Sequence, residues 1–174
     1  MKKIVTFAAL VVAATTLGVA TAAAKPPAQD ENWLMTSISG DRFEIAGGKI
    51  ALARTSAPIV RVLARRLVKD HSKSLHDALE LAHEWGMKGP PAATPSEQWE
   101  LNRLRFLPRS HFDGQYTALE IKDHNQDIEE TGLEAREGSA ADIRAEALKD
   151  LPVLAMHLKM TKRAAQAVSS ARLR

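Results

Sequence analysis

No cysteine occurs in the 174 residues of the chain, which excludes disulfides, thiolate metal sites and thiol nucleophiles. Aromatic residues are also scarce. Four Phe, three Trp and one Tyr make up 5% of the chain, too few for platforms that stack nucleic-acid bases. Neither sign of charge dominates: two of the 24 basic residues, Lys2 and Lys3, lie within the first 24 positions, and the remainder is 22 basic against 21 acidic residues, a net of +1. Such a chain has almost no long-range field to draw phosphate, so no nucleic-acid partner is expected. Beyond position 24 no segment is long and apolar enough to cross a bilayer. No alternating strand pattern is present. Gly47-Gly48-Lys49 has neither the spacing nor the preceding strand of a phosphate loop. Ser72, Ser74 and Ser110 lie near histidines but in no strand-turn-helix nucleophile motif.

What is present begins with a leader. Lys2-Lys3 precede an uncharged Ala, Val and Leu run from Ile4 to Ala20, followed by tandem small-x-small sites at Ala20-Thr21-Ala22 and Ala22-Ala23-Ala24. That order predicts a secretory signal peptide over residues 1–24 and a periplasmic or secreted protein. An uncleaved anchor is the alternative. Residues 25–29 form a short linker, and residues 30–170 one domain, large enough to fold by apolar burial alone.

That domain reads as all helix. The first helix is expected from about Asp30, its cap, to Ser56, with Trp33, Leu34, Ile38, Phe43, Ile45, Ile50 and Leu52 as apolar positions. Gly40, Gly47 and Gly48 weaken it and make room for a neighbour. Pro58 opens a second helix that stops at Gly86. Its residues Val60, Leu63, Leu67, His71, Leu75, Ala78, Ala82 and Trp85 fall three or four apart on one face. Thr94-Pro95-Ser96-Glu97 is a capping box that starts a short helix ending near Arg105. A third long helix spans about Ser110 to Arg136, with Phe112, Tyr116, Glu120, His124 and Ile128 in line. Ser139 is placed to cap a fourth, which carries Pro152 and a predicted kink. Four long helices and one short one between the second and third predict an up-down four-helix bundle.

The ordered segments Leu67-Val68-Lys69-Asp70-His71-Ser72, Phe112-Asp113-Gly114-Gln115-Tyr116, Lys122-Asp123-His124 and Leu151-Pro152-Val153-Leu154 with His157-Leu158 resemble a bacterial exported family. The family is known only as a domain of unknown function, number four-one-four-two. The resemblance covers about Asp30 to Ala165. It implies a ferritin-like four-helix fold and an extracytoplasmic location, and it implies no activity. The family's glycine-rich, Glu-containing stretch corresponds here to Ser39-Gly40-Asp41-Arg42-Phe43-Glu44.

Three histidines, His71, His124 and His157, fall on or near core-facing stripes of three different helices. Together with Glu44 and Glu120 they form the candidate set, drawn from all four long helices. Imidazole and carboxylate donors suit Fe, Zn, Cu or Mn. The set lacks the paired Glu-x-x-His motifs of a dinuclear carboxylate centre. The one Glu-x-x-His, Glu80-Leu81-Ala82-His83, joins His76 on the polar flank of the second helix and is expected in solvent.

Three readings of the set stand. In the first, the histidines with Asp70, Asp123 and Tyr116 form a buried hydrogen-bond network that fixes helix register, as buried polar groups usually do. The function is then that of an exported, non-catalytic envelope protein of binding or stress-related type. In the second, the set holds a divalent transition metal. In the third, protonation of His71 or His124 loosens the bundle as a pH sensor. Asp70 and Asp123 point about 100° away from the adjacent histidines and are expected to pair with lysine or cap a neighbour. Met156 and Met160 fit core filling better than soft-metal ligation. The basic residues Lys159, Lys162, Arg163, Arg172 and Arg174 read as a solvated helix end. Homo-oligomerisation is left open by the sequence.

Overall fold

A computed structural model describes residues 25–172; the expected leader lies outside them. Within the described residues there are five helices and no strand: α1 (Ala28–Arg54), α2 (Pro58–Glu84), α3 (Pro95–Phe106), α4 (Arg109–Glu137) and α5 (Ala141–Arg172). None of them is long and apolar enough to cross a membrane. The helix limits fall within a few residues of those the sequence implies. Pro58 and Pro95 each occupy a first helical turn, and the Thr94–Glu97 capping box is formed in both directions. Gly86, at φ 66°, takes the left-handed conformation just after α2, which costs glycine nothing. α5 runs unbroken through Pro152.

Pairings between helices fix their directions. Asp41 meets His71, and Gly48 faces Ala64 and Val68, so α1 and α2 are antiparallel. His124 meets His157, and Gly132 faces Leu151, so α4 and α5 are antiparallel as well. Trp33 Nε1 donates to Thr131 Oγ1 at 3.3 Å and Gln29 reaches Glu134, which sets α1 antiparallel to α4. Lys149 pairs with Asp77, and Trp85 with Asp142, across α2 and α5. It follows that α2 and α4 run in the same direction.

A simple up-down order, with every successive pair antiparallel, is therefore corrected at one place. The chain from Trp85 to Pro108 crosses back along the bundle and carries α3 with it. Arg42 donates to the Pro90 carbonyl at 2.8 Å and holds the crossover against α1. Arg54 donates to the carbonyls of Arg105 and Leu107, capping the end of α3, and its guanidinium lies 5.2 Å from the Phe112 ring centre.

The first helix begins before its expected cap. Asp30 sits inside the first turn of α1, fully buried, and accepts from the Ala140 backbone N–H at 2.7 Å. It serves the start of α5, which opens at Ala141 rather than directly after Ser139. A carboxylate at a foreign helix N-terminus meets both the free donors and the positive end of the dipole.

The apolar core is in two parts. Phe43, Leu63, Leu67, Leu104, Phe112 and Tyr116 centre one cluster. Trp33, Leu34, Ile38, Ala82 and Ile143 centre the other. Along each long helix the residues between the two clusters are polar: Asp41 and Glu44 on α1, His71 on α2, Glu120 and His124 on α4, His157 on α5. At one end of this layer α1 and α2 approach closely. A Cβ on Gly48 would lie 2.6 Å from Val68 Cγ2 and 3.2 Å from the Ala64 carbonyl oxygen. Gly48→Ala is expected to force the two helices apart and cost about 1–3 kcal/mol, read as a lower midpoint in urea or thermal unfolding.

Candidate metal centre

Each imidazole reaches the layer because its position continues an apolar stripe. His71 follows Leu63 and Leu67 at four-residue steps on α2, and His124 follows Tyr116 and Glu120 on α4. His157 stands three residues after the buried Leu154 on α5. The outcome is a triangle of rings with centroid separations of 5.1, 5.4 and 5.7 Å. His124 and His157 are fully buried and His71 nearly so.

One nitrogen of each ring is held. His71 Nδ1 is 2.8 Å from Asp41 Oδ1, His124 Nδ1 is 2.9 Å from the Glu120 carbonyl oxygen, and His157 Nε2 is 2.9 Å from Asp70 Oδ2. A carbonyl only accepts, so His124 Nδ1 carries the proton and Nε2 presents a lone pair. Carboxylate partners set the other two rings in the same sense. The opposite nitrogens, His71 Nε2, His124 Nε2 and His157 Nδ1, are buried and have no hydrogen-bond partner. A ring nitrogen of each histidine lies within 4.8 Å of one on each of the others. The arrangement of lone pairs inward and N–H outward to an oxygen is the one that orients histidine ligands around a metal. Bonds near 2.0–2.1 Å would draw three nitrogens to roughly 3.3 Å apart, within reach of small ring rotations.

Electrostatics keep two of these rings, His124 and His157, neutral. Burial, then the neighbouring His71 and His157, lowers the His124 pKa to about 3. Burial, then His71, lowers that of His157 to about 4, against the opposing pull of Asp70. Burial works against the charge of Asp70 too, but its bonds to Arg66 and His157 prevail and hold its pKa below the ordinary value.

Glu44 and Glu120 flank the triangle rather than complete it. Their carboxylates stand 3.6 and 3.7 Å from His124 Nδ1, the nitrogen that already donates to a carbonyl. Burial, and then the charge of Glu120, pushes Glu44 well above the usual carboxylate range. Burial raises Glu120 to about 7 against the opposing pull of the adjacent Glu44. A cavity of about 80 Å³, room for several waters, opens onto His71 and His157. Seven carboxylates line it, Asp41, Asp70, Asp123, Asp127 and Asp150 among them, and no lysine or arginine is in its wall. Burial and the charge of Glu146 raise Asp150 to about 7.

The expected set is thus brought together, with unequal roles. Asp41, Asp127 and Asp150 were not singled out from the sequence, although Asp123 and Asp127 share a face at a four-residue step. Asp70 pairs with Arg66 and reaches across to His157, not to a lysine. Asp123 turns toward Glu44 and Asp127. His76, Glu80 and His83 are exposed, as their polar flank implies. Met160 packs against the core.

A family model described as a domain of unknown function, DUF4142, matches residues 15–164. The chain belongs to this family. Two solved structures share the fold of this family member. The crystal structure of a DUF305 fragment from Deinococcus radiodurans has a TM-score of 0.73 at 14% identity, covering 83% of this chain and 99% of that one. The crystal structure of a conserved hypothetical protein, rv2844, from Mycobacterium tuberculosis has a TM-score of 0.64 at 20% identity, covering 80% and 92%. At such identities the likeness concerns fold alone. No curated protein matches the chain.

The buried groups predict a pH dependence for metal-free protein. Glu120 ionises near 7 in the folded chain against 4.5 ordinarily. The folded state keeps this proton longer, so its contribution is complete below about pH 4.5 and is lost as pH rises through about 7. Asp150 acts in the same direction. The histidines act oppositely: with folded values of about 3 and about 4 against 6.5, their contribution is complete above 6.5 and is lost as pH falls through those values. In EDTA, the melting temperature is expected to fall between about pH 6 and about pH 8. Glu120→Gln, which cannot ionise, should make that fall shallower; an identical slope in the variant would remove Glu120 as its source.

Proposed function

We propose that this chain is an exported, ferritin-like bundle protein that binds a transition metal through His71, His124 and His157. The observation that supports it is the set of three buried, partnerless ring nitrogens converging from three helices while the opposite nitrogen of each ring is held by an oxygen. A purely structural network explains one nitrogen per ring and leaves the inward three without purpose, at a cost of about 1–3 kcal/mol for each unsatisfied buried group. Three imidazole nitrogens suit Zn²⁺ or Cu²⁺, with a fourth position for water or a small ligand. Asp41, Asp70 and the Glu120 carbonyl would orient the rings.

The ferritin-like part rests on four long helices with a single crossover between the second and third, the connectivity of that fold class. Export rests on the basic, apolar and small-residue order of the first 24 residues. A binding role in the envelope agrees with both.

Metal-free protein titrated with Zn²⁺ or Cu²⁺ should take up one ion per chain and melt at a higher temperature. At a hundredfold excess over Kd the gain is about 2.7 kcal/mol. His157→Ala should abolish the gain while circular dichroism shows the helices intact. Substoichiometric uptake with unchanged melting in excess metal would defeat the proposal.

A further inference from the structure

Beside the imidazole triangle lies a second constellation built from different donors. Glu44 of α1 and Asp123 and Asp127 of α4 each place a carboxylate oxygen within 4.8 Å of the other two. Glu44 is fully buried, and neither of its oxygens receives a hydrogen bond. Asp123 and Asp127 are half-buried, one turn apart, and line the acidic cavity. Carboxylate oxygens repel at such range unless a proton or a cation lies between them. We infer that Glu44, Asp123 and Asp127 form a second cation site, made of oxygen donors and selective for a hard divalent ion such as Mn²⁺.

The donor chemistry separates this site from the first. Three imidazole nitrogens favour borderline ions, whereas three carboxylates, two of them lining a cavity with room for water, favour a hard ion that keeps some of its waters. Glu44 supplies the anchoring ligand from the dry side. The two aspartates close the site from the cavity side, where water fills the remaining positions. The inference does not depend on the imidazole site being occupied.

Mn²⁺ serves as the probe, because its free aqueous ion is counted by electron paramagnetic resonance. Metal-free protein loaded with one equivalent of Zn²⁺ should bind one further Mn²⁺ per chain. Asp127→Asn and Asp123→Asn should each weaken Mn²⁺ binding tenfold or more and leave Zn²⁺ uptake unchanged. Both variants relieve like-charge crowding, so their metal-free melting temperatures should not fall below that of the parent. His157→Ala should retain Mn²⁺ and lose Zn²⁺, and failure of Zn²⁺ uptake alone would therefore touch only the imidazole site. No Mn²⁺ uptake, or uptake indifferent to both aspartate variants, would show carboxylates that merely share protons and would overturn the inference.

Discussion

The cost of dehydrating an imidazole and carboxylate layer in the middle of a helical bundle governs this molecule. His124, His157, Glu44 and Glu120 are almost wholly removed from water, and each would be cheaper as leucine or isoleucine. Apolar replacement of buried polar clusters is often neutral or stabilising. The two flanking apolar clusters must therefore carry the stability of the fold, while the layer between them subtracts from it. Natural chains retain such an expense where a site needs it.

The layer is organised by charge as well as by position. On one side stand the His124 and His157 rings, with pKa values held down by burial and by the neighbouring His71. On the other stand carboxylates held up by burial and mutual repulsion. The same desolvation pushes acids and bases in opposite directions, while the bonds from Arg66 and His157 hold Asp70 below the ordinary carboxylate value.

Much of this was legible in the chain before its fold. Proline and glycine positions marked the helix limits, and the stripe Leu63–Leu67–His71 fixed which way the first histidine faces. Tyr116–Glu120–His124 did the same for α4. The α1 helix was harder, because its buried face carries Asp30, Ser39, Asp41 and Glu44 and so blurs apolar periodicity. Asp30 looks like a local cap, yet its partner is 110 residues away, a distance that no local rule spans. The parallel course of α2 and α4 was illegible for a related reason: the crossover is held by Arg42 and Arg54, whose partners are backbone carbonyls without a sequence signature. Asp123 was set aside because a residue next to a histidine points elsewhere on its own helix, which is correct, and what lay elsewhere was Glu44; Asp127, with no histidine beside it, drew no attention.

The acidic wall of the cavity has a kinetic corollary. Carboxylates lining a cavity whose wall holds no lysine or arginine favour the arrival of small cations over anions, by factors that shrink as ionic strength rises. Citrate, phosphate and anionic chelators would be disfavoured at the same wall.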